Sequence, residues 1–190
     1  MNVYKVILSR RSIRRFQQIS IPLEILKEFV NGARLAPSAA NLQPLEFFIV
    51  NDKNLCKNVF ETLGWAGYIK PTWTPSKSER PVAYIIMLIS DPNNKYYSRD
   101  VSLASENIVL AAEEKDIGSC ILLNVNREKL REILKIPDSI LIDSVIALGY
   151  KAEKSIVVDY LDSVKYWRDV NQVLHVPKKK LDDILHINKF

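Results

Sequence analysis

Helical and strand-like segments alternate along this chain, and that alternation predicts an α/β or α+β domain packed in three layers. Three observations carry the prediction. "VAYIIMLIS", from Val82, is an unbroken apolar run of strand length. Residues 98–116 repeat Val101, Ala104, Ile108, Ala111 and Ala112 at helical spacing. Further helical and β-branched stretches flank both, without internal repeat, low-complexity segment or linker, so residues 1–190 read as a single domain.

The elements are taken in chain order. Residues 3–9 form a short helix with Val3, Val6 and Ile7 on one side. A firmer helix opens at Pro22, where a missing N–H costs nothing in the first turn, and carries Leu26, Phe29, Val30 and Ala33 before stopping ahead of Pro37. "APSAANLQP" is a loop of small and amide residues, and "LEFFIVN" is a strand closed by Asn51-Asp52. A helix is expected near Leu55 to Leu63, then a long Pro-, Trp- and Tyr-containing loop over residues 64–81, a length that suggests function in a compact domain. "VAYIIMLIS" is the central strand, closed by "DPNN". The long helix of residues 98–116 is expected to end at Gly118, and "SCILLNV" is a short buried strand. Asn126 caps "REKLREILKI", "IDSVIALGY" is another strand, and the tail holds a strand at "SIVVDYL" and a late helix after Pro177.

Composition excludes several classes. Hydrophobic residues make up 47% and charged residues 26%, ordinary values for a folded domain. The longest apolar run is far shorter than the roughly 20 residues of a membrane-spanning helix. The first residues place their apolar part before their charges, the reverse of a secretory signal, so a cytoplasmic location is expected. Cys56 and Cys120 stand far apart with only His175 and His186 in support, too few ligands for a structural zinc site, and no metal is expected. Five unclustered glycines leave no phosphate-cradling glycine loop and no dinucleotide-binding turn, and there is no nucleophile elbow or zinc-protease pair. Without an acid, base, nucleophile or metal cluster of its own, an enzyme built on this chain needs an organic cofactor.

The charge is less ordinary. "SRRSIRRF", residues 9–16, places four arginines in eight positions, and the chain carries a net charge of +5. Nucleic acid, a phosphorylated small molecule and plain solubility are all compatible with it. Arginine forks bind phosphate in bidentate fashion and a serine hydroxyl adds a further donor, so this segment has the chemistry of a phosphate clamp, with "PKKK" at residues 177–180 as a second half. A basic nucleic-acid module ranks lower, because the aromatics are not interleaved with the basic runs as a stacking platform requires.

Together, "SRRSIRRF", the helix after it and "ARLAPSAANLQPLEFFIV" resemble the FMN-dependent nitroreductase family, whose pattern is Arg-(Arg/His)-Ser-x-(Arg/Lys), one helix, then Ala-Pro-Ser-x-x-Asn-x-Gln-Pro leading into a strand. "KDIGSCIL", "VIALGYKAEK" and "HVPKKKL" resemble later family segments, so the likeness spans nearly the whole chain. It implies an α+β fold, a three-layer α/β/α sandwich around a mostly antiparallel sheet with a C-terminal extension. The implied protein is a homodimer with FMN at the subunit interface, using NADH or NADPH to reduce a nitroaromatic, quinone or related acceptor by ping-pong hydride transfer. The alternative is a flavin-binding or flavin-consuming relative without that turnover.

By the same resemblance, Arg10, Arg11, Ser12 and Arg14 would hold the phosphate and ribityl parts of FMN. Pro37, Ser38, Ala39, Asn41 and Gln43 would face the flavin ring, from the partner subunit or the ring side. Ile121 and Leu122 would line its reactive edge through backbone, and Lys178 and Lys180 would complete the phosphate site. No side chain is expected to be catalytic, since the chemistry resides on flavin N5. Two departures stand out: Leu45 where the family commonly has Trp, and lysine in "PKKK" where arginine is frequent.

Overall fold

The computed structural model describes residues 2–69 and 71–189. Its elements are α1 (Val3–Ser9), α2 (Leu23–Arg34), β1 (Leu45–Val50), α3 (Lys53–Phe60), β2 (Ala83–Ile89), α4 (Tyr97–Glu114), β3 (Ile117–Leu122), α5 (Arg127–Leu134), β4 (Leu141–Tyr150), β5 (Ser155–Asp159), β6 (Trp167–Arg168) and β7 (Leu174–Lys178). Strands β1, β2, β4 and β3 lie in that order in one sheet, every neighbouring pair antiparallel. All seven residues of β2 are buried, as an apolar run covered on both faces requires.

Alternation along the strands builds the layers. Ala83, Ile85, Met87, Ile89, Ile146 and Leu148 pack against Leu26, Phe29 and Ala33 of α2 and Val101, Ala104, Ile108 and Ala112 of α4. Tyr84, Ile86, Leu88, Val145 and Ala147 face the opposite way, onto Cys56, Val59 and Phe60 of α3 and Leu130 and Leu134 of α5, with Ile13 and Phe16 completing that layer. The expected α+β three-layer sandwich is the architecture observed. Local signals act where the sequence places them: the Asn126 side chain accepts from the Lys129 N–H at 3.1 Å, and α2 ends ahead of Pro37.

Three expectations are corrected. Helix α3 starts at Lys53 rather than Leu55, because the Asp52 carboxylate caps it through the Asn54 and Leu55 N–H groups, and it ends at Phe60. The residue that breaks α4 is Asp116, at φ +58°, while Gly118 lies inside β3. The late helix is absent. Pro177 is a strand residue: β7 pairs with β5 in parallel and with the short β6 antiparallel, forming a second, three-stranded sheet. Since β6 opposes only Leu174 and His175, β7 is an edge strand by Pro177, where proline is tolerated. After β7 the chain makes a single 3-10 turn, Leu181–Asp183. Every residue from Lys178 to Lys189 is exposed, so no packed face supports a helix that would be marginal in water at that length.

Candidate functional site

After α1 the chain runs extended along β3, the outer strand of the main sheet. The Ile13 N–H donates to the Ser119 carbonyl at 2.8 Å, Ser12 bridges Ser119, and Gln17 N–H reaches the Tyr150 carbonyl at 2.8 Å. Ile13 and Phe16 point inward and are buried. Two glycines admit them. A Cβ on Gly118 would lie 2.8 Å from Ile13 Cγ2, and one on Gly149 would lie 2.8 Å from Phe16 Cβ. Sequence reading assigned Gly118 to helix termination and missed this role; the available signal was a glycine inside a strand pattern.

With the apolar residues turned in, the polar ones form a strip. Arg10 Nε lies 3.4 Å from Glu106 Oε1 on α4. Arg11 donates from Nη2 to the Leu8 carbonyl at 2.7 Å and from Nη1 to the Arg10 carbonyl, covering the exposed end of α1. Burial, and then the positive charge of Arg10, hold the Arg11 pKa below its usual value, with Glu113 partly offsetting them. An anion placed beside this pair would relieve that repulsion. Arg14 donates its backbone N–H to Glu153 and lays its guanidinium 4.8 Å from the Tyr166 ring centroid, while its Nε is buried with no acceptor. The Ser12 hydroxyl makes no hydrogen bond among the described residues. The Arg14 side chain also donates to the Cys120 thiol, so the donor the strip leaves unspent is the Ser12 hydroxyl, set among Arg10, Arg11 and Arg14, residue types that bind phosphate.

On the same strand, Leu122 is buried but Ile121 is 40% exposed, which corrects the expectation that both are buried strand residues. Being exposed on the outer strand, Ile121 is accessible to a ligand.

The second motif docks elsewhere on α4. The Ala39 N–H donates to Asp100 Oδ1 at 3.0 Å, and the Gln43 N–H donates to the Ser38 hydroxyl at 3.1 Å. Ala40, Asn41 and Gln43 all have positive φ, at 50°, 56° and 49°. Non-glycine residues persist there only when their surroundings hold them, and such strain gathers at functional sites. Pro37 lies at the foot of this loop, and its far end is fixed by Ser90, whose N–H and hydroxyl both donate to the Pro44 carbonyl at 2.9 and 3.0 Å. Asn41 and Gln43 are left exposed. Asp100, which sequence reading did not single out, is 2% exposed and its Oδ2 has no partner. Asp100 and Glu106 are about 9 Å apart along the axis of α4, at 1.5 Å per residue. One helix thus anchors both motifs.

The tail adds a further set of contacts. The Glu153 side chain, 1% exposed, pairs with Arg168 of β6, and Arg168 and Arg15 lie 5.0 and 5.5 Å from the Trp73 ring centroid. Arg15 is also held by Glu79 at 3.6 Å and Gln172 at 3.0 Å. Lys178, the last residue of β7 and about 13 Å from Leu174 at 3.3 Å per residue, and Lys180, two residues beyond it, are exposed, and no hydrogen bond or ion pair among the described residues joins them to the arginine strip. Cys56 and Cys120 are buried free thiols.

The nitroreductase family model matches residues 7–83 and 90–150, which include the arginine strip, the strained loop and β3. The chain belongs to the nitroreductase family. A protein of Archaeoglobus fulgidus whose provisional name is NADH dehydrogenase/NAD(P)H nitroreductase is 36% identical over 159 residues, covering 79% of this chain and 86% of the relative. A solved nitroreductase family protein from Clostridium novyi is 28% identical, with a TM-score of 0.67 over 80% of this chain and 87% of that one. An FMN-dependent nitroreductase from Clostridium difficile superposes with a TM-score of 0.69 at 24% identity, over 97% of this chain and 98% of that one, a likeness of fold. The tail beyond residue 150 lies outside the match to the family model.

Proposed function

We propose that this nitroreductase family member is an FMN-dependent oxidoreductase that takes electrons from NAD(P)H and reduces a nitroaromatic, quinone or related acceptor. Family membership makes the chain an oxidoreductase, the Archaeoglobus relative is named for NAD(P)H, and the Clostridium difficile protein is named for FMN. The observation that carries the reading is the strip on β3, where the Ser12 hydroxyl makes no hydrogen bond among the described residues and stands beside the guanidinium groups of Arg10, Arg11 and Arg14. When bound, FMN supplies hydride acceptance from the reduced nicotinamide and onward donation to the acceptor.

The chain's own residues bind and orient. Arg10, Arg11, Ser12 and Arg14 hold the phosphate and ribityl chain as donors. Ile121 and Leu122 present the β3 backbone to the ring. Pro37, Ser38, Ala39, Asn41 and Gln43, in a loop held by the Ser38 hydroxyl and Asp100, serve the flavin of a partner subunit in a homodimer. Lys178 and Lys180 extend the phosphate site as point charges, also across that interface. Because one pocket receives donor and acceptor in turn, the kinetics are ping-pong. The reading places the protein in the cytoplasm; no helix among the described residues is long and apolar enough to cross a membrane.

The test is a visible absorption spectrum of the protein after incubation with FMN and removal of free flavin, repeated with NADH and with NADPH. A retained flavin band that bleaches with one donor and recovers on adding a quinone is expected. Absence of retained flavin overturns the proposal; a band that bleaches without acceptor turnover replaces it with a flavin carrier. Ser12→Ala/Arg14→Ala is expected to weaken FMN binding by about a hundredfold, two charge-assisted contacts being lost.

A further inference from the structure

A second basic feature lies away from the flavin residues. A groove of about 450 Å³ is lined by Gln18, Ser20, Asn51, Lys53, Cys56, Lys57, Lys77, Arg80, Pro81 and Val82, sharing no residue with the arginine strip or the strained loop. That volume is ample for a small ligand. Four cationic side chains face this one space, contributed by α3, by the 3-10 turn Lys77–Glu79 and by the residue after it.

Their charges are mostly uncompensated. Among the described residues, Lys53 and Lys77 make no ion pair, and Lys57 has only the neutral Asn54 side chain at 3.5 Å. Arg80 pairs through Nη1 with Glu61 at 3.1 Å and is braced 3.8 Å from the Phe60 ring centroid, yet its Nε is buried with no acceptor. Asp52, beside Lys53 in the chain, is committed to the Asn54 and Leu55 N–H groups. The Cys56 thiol points to the Val50 and Val82 carbonyls, and burial, then Asp52, pushes its pKa up to about 12, so it is no nucleophile here. Ser20 and Asn51 make no side-chain hydrogen bond among the described residues. A cavity with several unpaired cations, a preset guanidinium and two free polar groups over an apolar floor of Pro81 and Val82 is complementary to a multiply charged oxyanion.

We propose that this groove binds the phosphate or pyrophosphate group of a small molecule, with Lys53, Lys77 and Arg80 as the principal donors. Pyrophosphate binding here is independent of the flavin reading; only the comparison of KM values rests on it. Its test is calorimetric titration of the FMN-incubated protein with pyrophosphate at constant ionic strength, beside Lys53→Ala/Lys77→Ala in the groove and Ser12→Ala/Arg14→Ala in the strip. Saturable binding of one pyrophosphate per chain is expected, weakened at least about tenfold by the groove substitutions and unchanged by those in the strip. No saturable binding, or equal affinity in the groove variant, overturns the proposal. The same variant separates the sources of the phosphate. A KM raised for NADPH alone assigns the 2′-phosphate of that donor, a KM raised for both nicotinamides assigns their shared pyrophosphate, and unchanged KM with lost pyrophosphate binding assigns a separate phosphorylated ligand.

Discussion

Gly118 and Gly32 have the same composition and opposite roles. A Cβ on Gly118 would lie 2.8 Å from Ile13, while nothing lies within 4 Å of one on Gly32 in α2. Gly118→Ala is therefore expected to destabilise by about 1–3 kcal/mol through overpacking and to displace the arginine strip. Gly32→Ala should stabilise by about 0.5–1 kcal/mol, because glycine carries excess entropy in a helix. Urea unfolding of both variants checks the pair, and equal effects would contradict the account. The thiols give a pH-dependent counterpart. Burial raises the Cys56 pKa to about 12, and burial likewise raises that of Cys120, only partly countered by Arg14. A raised thiol pKa means the folded state holds its proton, so this stability is complete below the unfolded value near 8.5 and is lost as pH climbs from about 9 toward 12. Alkylation at pH 8.5 should leave both cysteines unmodified in the folded protein and modify both in urea. At this scale the sequence disclosed which residues carry charge and which are small. It did not disclose that Gly118 lies under Ile13, because that contact joins residues more than a hundred positions apart.

Elements with their own local grammar were legible; those stabilised by distant contacts were not. The main sheet, α2, α4 and α5 are set by apolar period, caps and prolines. Of the small sheet only β5 was legible, as the strand expected at "SIVVDYL"; β6 and β7 were not, since they are short, half-exposed and, in β7, interrupted by Pro177. The sheet is fastened by the Glu153–Arg168 pair, whose side chains are 1% and 7% exposed, and the same glutamate receives the backbone N–H of Arg14. Arg168→Ala leaves a buried carboxylate unpaired and should cost about 3–5 kcal/mol, whereas Arg168→Met with Glu153→Gln should recover most of that loss. Thermal unfolding of the three proteins decides; a single variant as stable as the parent would show that the pair does not hold the sheet. The strained loop depends in the same way on α4. Asp100→Ala removes the acceptor for the Ala39 N–H and is expected to cost about 1–3 kcal/mol, with Asp100→Asn milder because it retains an acceptor oxygen. Loss of FMN retention beyond what the stability change explains would mark Asp100 as a positioning residue.

For the whole molecule, the proposed site draws on residues from several elements. The strip lies along β3, the loop is held by Asp100 at the start of α4, Lys178 ends β7 and Lys180 lies two residues beyond it. Sequence periodicity reports which face of an element is apolar but not which distant elements meet, so the anchoring of both motifs on α4 was not legible. The surface suggests a role for a second subunit. In α1 only Val6 is buried, while Val3, Tyr4 and Leu8 are 70%, 68% and 54% exposed, and the tail exposes Leu181, Ile184, Leu185 and Ile187. Scattered exposed apolar residues need no explanation, but a helix adjoining the strip with its apolar side chains uncovered is suited to a subunit interface. Under the proposed homodimer, Tyr4→Asp with Leu8→Asp removes about 1.5–3 kcal/mol of burial per side chain in each protomer, enough to weaken association by roughly a hundredfold or more. Sedimentation velocity, followed at both the protein and the flavin absorbance, should then show dimers carrying FMN for the parent and flavin-free monomers for the variant, because strip and loop serve one cofactor only across the interface. Variant monomers that keep a full complement of flavin would place the whole site within one chain and remove the interface from the mechanism.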